Sequence, residues 1–188
     1  MENDPSDIWK EFERNVVSHS AAHHIVAIAE LRERNGYARV SDVARALNIT
    51  RGSASLTLKI LKQKGFVLEA ENRFLKLSEK GSTVANTVIG KKHLIRRFLC
   101  EVLGVPEETA EIDTCKIEHL IGYRTALRLA QFLRFFESED PRARAFAKAW
   151  ATYDSSCEHD ASLCPACYHE CLSDLFSEPK RPSDASKG

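Results

Sequence analysis

Cys115, Glu118 and His119 set a thiol, a carboxylate and an imidazole at i, i+3 and i+4 within "CKIEHLIG". On a helix that spacing predicts one shared face. Buried carboxylates and imidazoles need partners, so the trio suits a metal better than a core. The set is mixed and fairly soft. It disfavours magnesium, calcium and, less strongly, manganese, and leaves zinc, ferrous iron, cobalt and nickel. A second donor group lies near the C-terminus. Of the six cysteines, Cys157, Cys164, Cys167 and Cys171 fall within fifteen residues, with His159 and His169 interleaved. Cys164 and Cys167 have the C-x2-C spacing of a zinc chelate, and His159 is able to replace one thiolate. The same four thiolates also suit an iron–sulfur cluster. A small segment with little apolar content needs such a staple to fold. Cys100, among Phe98, Leu99 and Leu103, reads as a buried thiol.

The elements that must hold these donors are mainly helical. Ile8, Trp9, Phe12 and Val16 recur at helical spacing over residues 5–17. "AAHHIVAIAELRERNG" predicts a second amphipathic helix closed by Asn35-Gly36. "VSDVARALNIT" predicts a short helix with Ser41 as N-cap. A further helix starts at Thr50, buries Ala54, Leu58 and Leu61, and stops at Gly65. The period then becomes two: "FVLEA" and "RFLKL" flank Glu71-Asn72 as a hairpin. A long helix is expected from Ser78 to Leu103. Pro106 opens the helix of the Cys115 trio, and "YRTALRLAQFLRFF" follows Gly122. Residues 138–141 read as a linker before a helix over 142–153, and residues 177–188 as a disordered tail.

The 188 residues carry no formal net charge, and the polar, acidic N-terminus is no secretory signal. With no run of about 18 apolar residues, the expectation is a cytoplasmic protein with reduced thiols and no membrane partner. The charge is nonetheless uneven. From Gly36 to Gly65 six Lys and Arg face a single Asp42. The order helix, helix, helix, two-stranded wing over residues 22–82 is that of a winged helix-turn-helix. It predicts a double-stranded DNA partner, contacted by Arg39, Thr50, Arg51, Ser53, Ser55 and Lys59. The apolar faces of "YRTALRLAQFLRFF" and of Leu94, Phe98 and Leu99 predict pairing of two subunits.

With these residues assembled, the chain resembles the diphtheria toxin repressor and manganese transport regulator family of metal-activated transcription factors. The likeness spans residues 20–137 and is sharpest in "GYARVSDVARALNIT", "GKKHLIRRFLCEVLGV" and "CKIEH". It implies a DNA-binding winged helix, a helical dimerisation domain, and a divalent ion between them that switches on operator binding. It implies that Cys115, Glu118 and His119 are ligands and that His23 supplies the first-helix ligand, with His24 as a lesser substitute. It places Lys92, Arg96 and Glu111 where relatives hold a second, ancillary metal. Two cations and one carboxylate cannot hold a divalent ion, so an ion pair is expected there instead, with His93 pointing elsewhere. It favours ferrous iron as the signal, then zinc or manganese, and repression as the output.

The expected architecture is thus mainly α. A winged helix-turn-helix domain (1–82) precedes a helical metal-binding and dimerisation domain (83–137) and a helix with the cysteine-rich module (138–176). No SH3-like barrel is expected, because the residues after 140 lack glycine-punctuated strands. An alternative keeps the protein a regulator but makes the C-terminal cysteines a redox or oxygen sensor carrying an iron–sulfur cluster. A metallohydrolase is a remote alternative. It needs a positioned base and usually glycine-rich loops over the metal, whereas the eight glycines here sit mostly at element ends. No enzyme activity and no small organic substrate are expected.

Overall fold

The computed structural model describes residues 17–153. The expected helix over residues 5–16 and the cysteine-rich segment with Cys157, His159, Cys164, Cys167, His169 and Cys171 lie outside the described residues. The chain divides into two compact units that part between Glu137 and Ser138.

In the first unit, helix α1 (His19–Asn35) is capped by Ser18, whose hydroxyl accepts from the Ala21 N–H at 3.3 Å. It ends at Gly36, whose φ of 79° lets its N–H turn back to the Arg32 carbonyl. Ile25, Ile28 and Leu31 form its buried stripe. Helix α2 (Val40–Ala46) starts earlier than its sequence suggests. Its N-cap is Arg39, not Ser41, because the Asp42 carboxylate accepts from the Arg39 N–H at 3.2 Å and winds Ser41 into the first turn. Thr50 caps α3 (Arg51–Gln63), which buries Ala54, Leu58 and Leu61 as the spacing required. Strands β1 (Val67–Glu69) and β2 (Leu75–Leu77) pair antiparallel, Val67 opposite Leu77. The Leu75 N–H reaches the Ala38 carbonyl at 2.8 Å and ties this wing to the loop before α2. Ile25, Ile28, Val43, Leu58, Leu61, Phe66 and Leu75 pack as one core.

Helix α4 (Glu79–Arg97) continues from the wing. The Ser78 hydroxyl accepts from the Gly81 N–H at 3.0 Å and donates to the Gly65 carbonyl at 2.6 Å, so the cap also fastens α4 to the end of α3. The boundary expected at residue 82 falls in the first turn of α4, so one rod serves both the winged layer and the next one. The helix does not run regularly to Leu103. At Phe98–Val102 it widens into a π-helical turn, with the Leu103 N–H on the Phe98 carbonyl. Cys100 sits in that turn and is only partly buried. Helices α5 (Glu107–Ile117) and α6 (Tyr123–Phe136) pack on α4, as α1 does.

The second unit contains α7 (Pro141–Ala151), capped by Asp140 through the Arg142 N–H at 2.8 Å. Among the described residues β1 and β2 are the only strands, and no helix is long and apolar enough to cross a membrane.

Candidate metal centre and nucleic-acid interface

The trio lies at the end of α5 rather than along it. Cys115 is in the last turn, Glu118 is the C-cap and His119 lies just past it. The turn continues through the Glu118 N–H to the Thr114 carbonyl at 2.9 Å, which carries the helical path into Glu118. The Lys91 ammonium on α4 donates to the Ile121 carbonyl at 2.7 Å and pins the segment that follows. Across from it, α1 presents His23, whose Nε2 is 3.6 Å from the Cys115 Sγ. Donor atoms of His23, Cys115 and Glu118 all lie within 4.8 Å of one another.

His19 was not foreseen. It stands one turn before His23, and its donor nitrogen lies within 4.8 Å of those of His23 and His119. The i, i+4 spacing of His19 and His23 was the available signal. His24, in contrast, is 2% exposed and turns inward, its Nδ1 2.7 Å from the Ser20 carbonyl oxygen. His93 is exposed and belongs to neither donor group.

Burial and neighbouring charges shift the titration of these groups. Glu118 is 3% exposed, and burial pushes its carboxyl up to about 7. Burial first, then repulsion from His19 and His23, holds His119 down to about 4. Burial and the His19 imidazole also lower His23. These histidines therefore keep lone pairs free at neutral pH. His119 Nε2 lies 3.0 Å from Glu118 Oε1, yet the contact is no ion pair when His119 is neutral. Both His119 Nε2 and Glu118 Oε2 are buried without a hydrogen-bond partner. Unsatisfied buried polar atoms are costly, and these two residues belong to donor groups that share His23, an arrangement that fits a cation. The cleft beside His23, Lys92, Cys115 and Glu118 measures about 130 Å³, enough for an ion and its water.

The three residues at the ancillary position also meet. Lys92 contacts Glu111 directly, and Arg96 Nε lies 3.8 Å from Glu111 Oε2. Arg96 further pairs with Glu107. Burial is the largest influence on Lys92 and opposes its charge, but the Glu111 hydrogen bond together with the charges of Glu111, Glu118 and Glu30 raises the group.

The second surface lies on the winged layer. Arg39, Ser41, Arg51, Ser55, Asn72, Arg73 and Phe74 line an open groove of about 930 Å³ between α2, the start of α3 and the wing tip. Thr50, Arg51, Ser53, Ser55 and Lys59 are exposed. The Arg39 guanidinium lies 5.0 Å from the Phe74 ring centre and 5.6 Å from that of Tyr37, which holds it at the groove wall. Arg73 was missed by the sequence reading. Only the hairpin's three-residue turn, with Asn72 and Arg73 at φ 58° and 60°, brings it beside Arg51.

Residues 78–145 match the model of the iron-dependent repressor metal-binding and dimerisation domain. The regulator MntR of Bacillus subtilis is 30% identical over 125 residues, which cover 66% of this chain and 87% of that protein. MntR of Bacillus pumilus is 32% identical over 124 residues, covering 66% and 85%. The chain belongs to the diphtheria toxin repressor and manganese transport regulator family. Members are metal-dependent transcriptional regulators, and this chain is a regulator of that class rather than an enzyme. Solved regulators share its fold. The manganese regulator SloR aligns with a TM-score of 0.56 at 24% identity, covering 61% of this chain and 53% of that one. IdeR of T. acidophilum aligns with a TM-score of 0.54 at 24% identity, covering 64% and 55%. The chain thus spans about half the length of these solved relatives.

Proposed function

We propose that the chain is a homodimeric repressor of metal-homeostasis genes in the cytoplasm. It grips a double-stranded operator when a divalent ion is held by His23, Cys115, Glu118 and His119. One observation carries this reading: the donor cluster joins α1, a helix of the winged core, to the end of α5, outside that core. An ion bound there supplies a cross-link between the two.

The chain's own residues do the rest. Glu118 and His119 face each other with unsatisfied atoms, and an ion there would fix α1, and with it the winged core, against the end of α5. A dimer whose reading heads shift spends little time with both α3 helices at half-site spacing, about one helical turn of DNA. Fixing α1 raises that fraction, and apparent operator affinity rises by the same factor. Arg51, Thr50, Ser53, Ser55 and Lys59 on α3 face the duplex, with Arg39 and Arg73 flanking on phosphates. Exposed Ile112, Leu120, Tyr123 and Leu127 offer apolar surface for the partner subunit. Lys92 and Arg96 with Glu111 stand in for an ancillary ion, a permanent charge pairing in place of a second switch.

The thiolate and imidazoles favour a borderline ion. Ferrous iron ranks first, with zinc and manganese next. The C-terminal cysteines are assigned structural zinc or an iron–sulfur cluster. A colourless zinc protein and a brown one absorbing near about 400 nm separate the two. The test of the main reading is operator binding by anaerobically purified ion-free protein, titrated with iron, manganese and zinc at fixed salt. Equal affinity with and without ions abolishes it.

A further inference from the structure

We propose that His19 is itself a ligand of the regulatory ion, so that α1 grips the ion at two points one helical turn apart. The inference rests on the metal-switch reading above and adds a donor to it. His19 and His23 stand at i and i+4, a spacing that lets two imidazoles on one helix face reach a single ion. Their Nε2 atoms are 3.0 Å apart. Two nitrogens each about 2.1 Å from one ion are separated by roughly 3.0–3.4 Å at right-angle to tetrahedral geometry. A thiolate sulfur about 2.3 Å from the same ion lies roughly 3.1–3.6 Å from each nitrogen. The Cys115 Sγ is 3.6 Å from His23 Nε2, at the edge of that range, and 3.9 Å from His19 Nε2, just beyond it. The His119 ring packs edge-on against His19 with centroids 4.2 Å apart. An N–H···N bond between His19 and His23 explains their approach to each other. It does not explain why the Cys115 thiol lies within 3.9 Å of both nitrogens while a third imidazole, His119, packs against His19.

His19 is exposed, while Glu118 on the far side is buried. It therefore closes the cluster on its solvent side. Two consequences follow from the donor count. Three imidazoles, a thiolate and a carboxylate favour zinc, ferrous iron, cobalt and nickel over manganese more strongly than four donors do. Ion binding also locks the first turn of α1, because its opening residue becomes a ligand.

The experiment uses the full chain, anaerobic and ion-free, with cobalt(II) as the probe and zinc and manganese for affinity. His19→Ala should keep the thiolate-to-cobalt charge-transfer band, since Cys115 stays. Its d–d bands should move, and cobalt and zinc affinity should fall about 10–100-fold, with manganese affinity falling less. His19→Asp, which offers an oxygen donor, should recover part of that loss, whereas a purely structural imidazole would not be replaced this way. As an exposed residue, His19 tolerates both changes without unfolding, and circular dichroism checks it. A His19→Ala protein with wild-type d–d bands and affinity overturns the proposal. If Cys115→Ser then still loses the charge-transfer band, the four-donor site survives. If Cys115→Ser keeps the full spectrum, the site itself is lost and the proposal with it.

Discussion

In the proposed switch, Glu118 is the decisive residue. A carboxyl buried to 3% exposure and poised near 7 is an expensive group to keep in an ion-free protein. Ion binding deprotonates it, so proton and ion compete. His119 titrates near 4 and is already neutral above pH 5. The sign follows: as pH falls through about 7, each bound ion must displace one more proton, and affinity drops by up to about tenfold per pH unit from this group. Calorimetric titration in buffers of different ionisation enthalpy measures the release, and a release that does not grow between pH 8 and pH 6 would contradict the assignment. Glu118→Gln keeps the shape and removes the charge. It should weaken zinc or iron binding at least about 100-fold and leave operator binding at its ion-free level. At the ancillary position, Arg96→Glu tests the permanent charge pairing with Glu111. It should create sensitivity to a second ion, and a variant with unchanged stability and unchanged metal response would argue against it.

At the level of elements, the start of α4 is fastened to the chain between α3 and the wing through Ser78 and Gly81. Gly81 in the first turn of α4 packs so closely that a Cβ there would overlap the Phe66 carbonyl oxygen. Gly81→Ala should therefore cost about 1–3 kcal/mol, read as a lowered midpoint of thermal or urea unfolding. Ser78→Ala removes the cap of α4 and its tie to Gly65, a loss of about 1 kcal/mol. Equal midpoints for either variant and the parent would show that this contact does not hold the layers. The elements themselves were legible because their signals are local: Gly36, Thr50, Gly65 and Ser78 all stop or start helices where their chemistry requires. The misread ones were decided by nonlocal or competing chemistry. The Asp42 carboxylate moved the N-cap of α2 to Arg39, and a π-helical turn at Phe98–Val102 interrupts the regular winding of the long helix without ending it.

For the whole molecule, a neutral chain brings Arg39, Arg51 and Arg73 together on one groove, so operator affinity should fall steeply with salt. Arg51→Ala should weaken binding to all sequences and reduce the log–log salt slope by about one, measured by fluorescence anisotropy across a salt series. An unchanged slope would move Arg51 off the phosphate backbone. Chelation of the ion by contrast should lower affinity at every salt concentration without altering the slope much, because the groove's charges remain in place.

The amino-acid order by itself determined the helix and wing succession, the cationic groove on α3 and the donor types of "CKIEH", since capping, periodicity and ligand softness are properties of residues and their near neighbours. It also pointed to His23 through family likeness. Only the tertiary structure decided that His19 stands beside Cys115, 96 positions away, that His24 turns into the core, and that Arg73 joins Arg51 at one groove. Those placements depend on how α1 lies along α4 and how the hairpin turn folds back. Packing between distant segments sets both, and no local pattern encodes it.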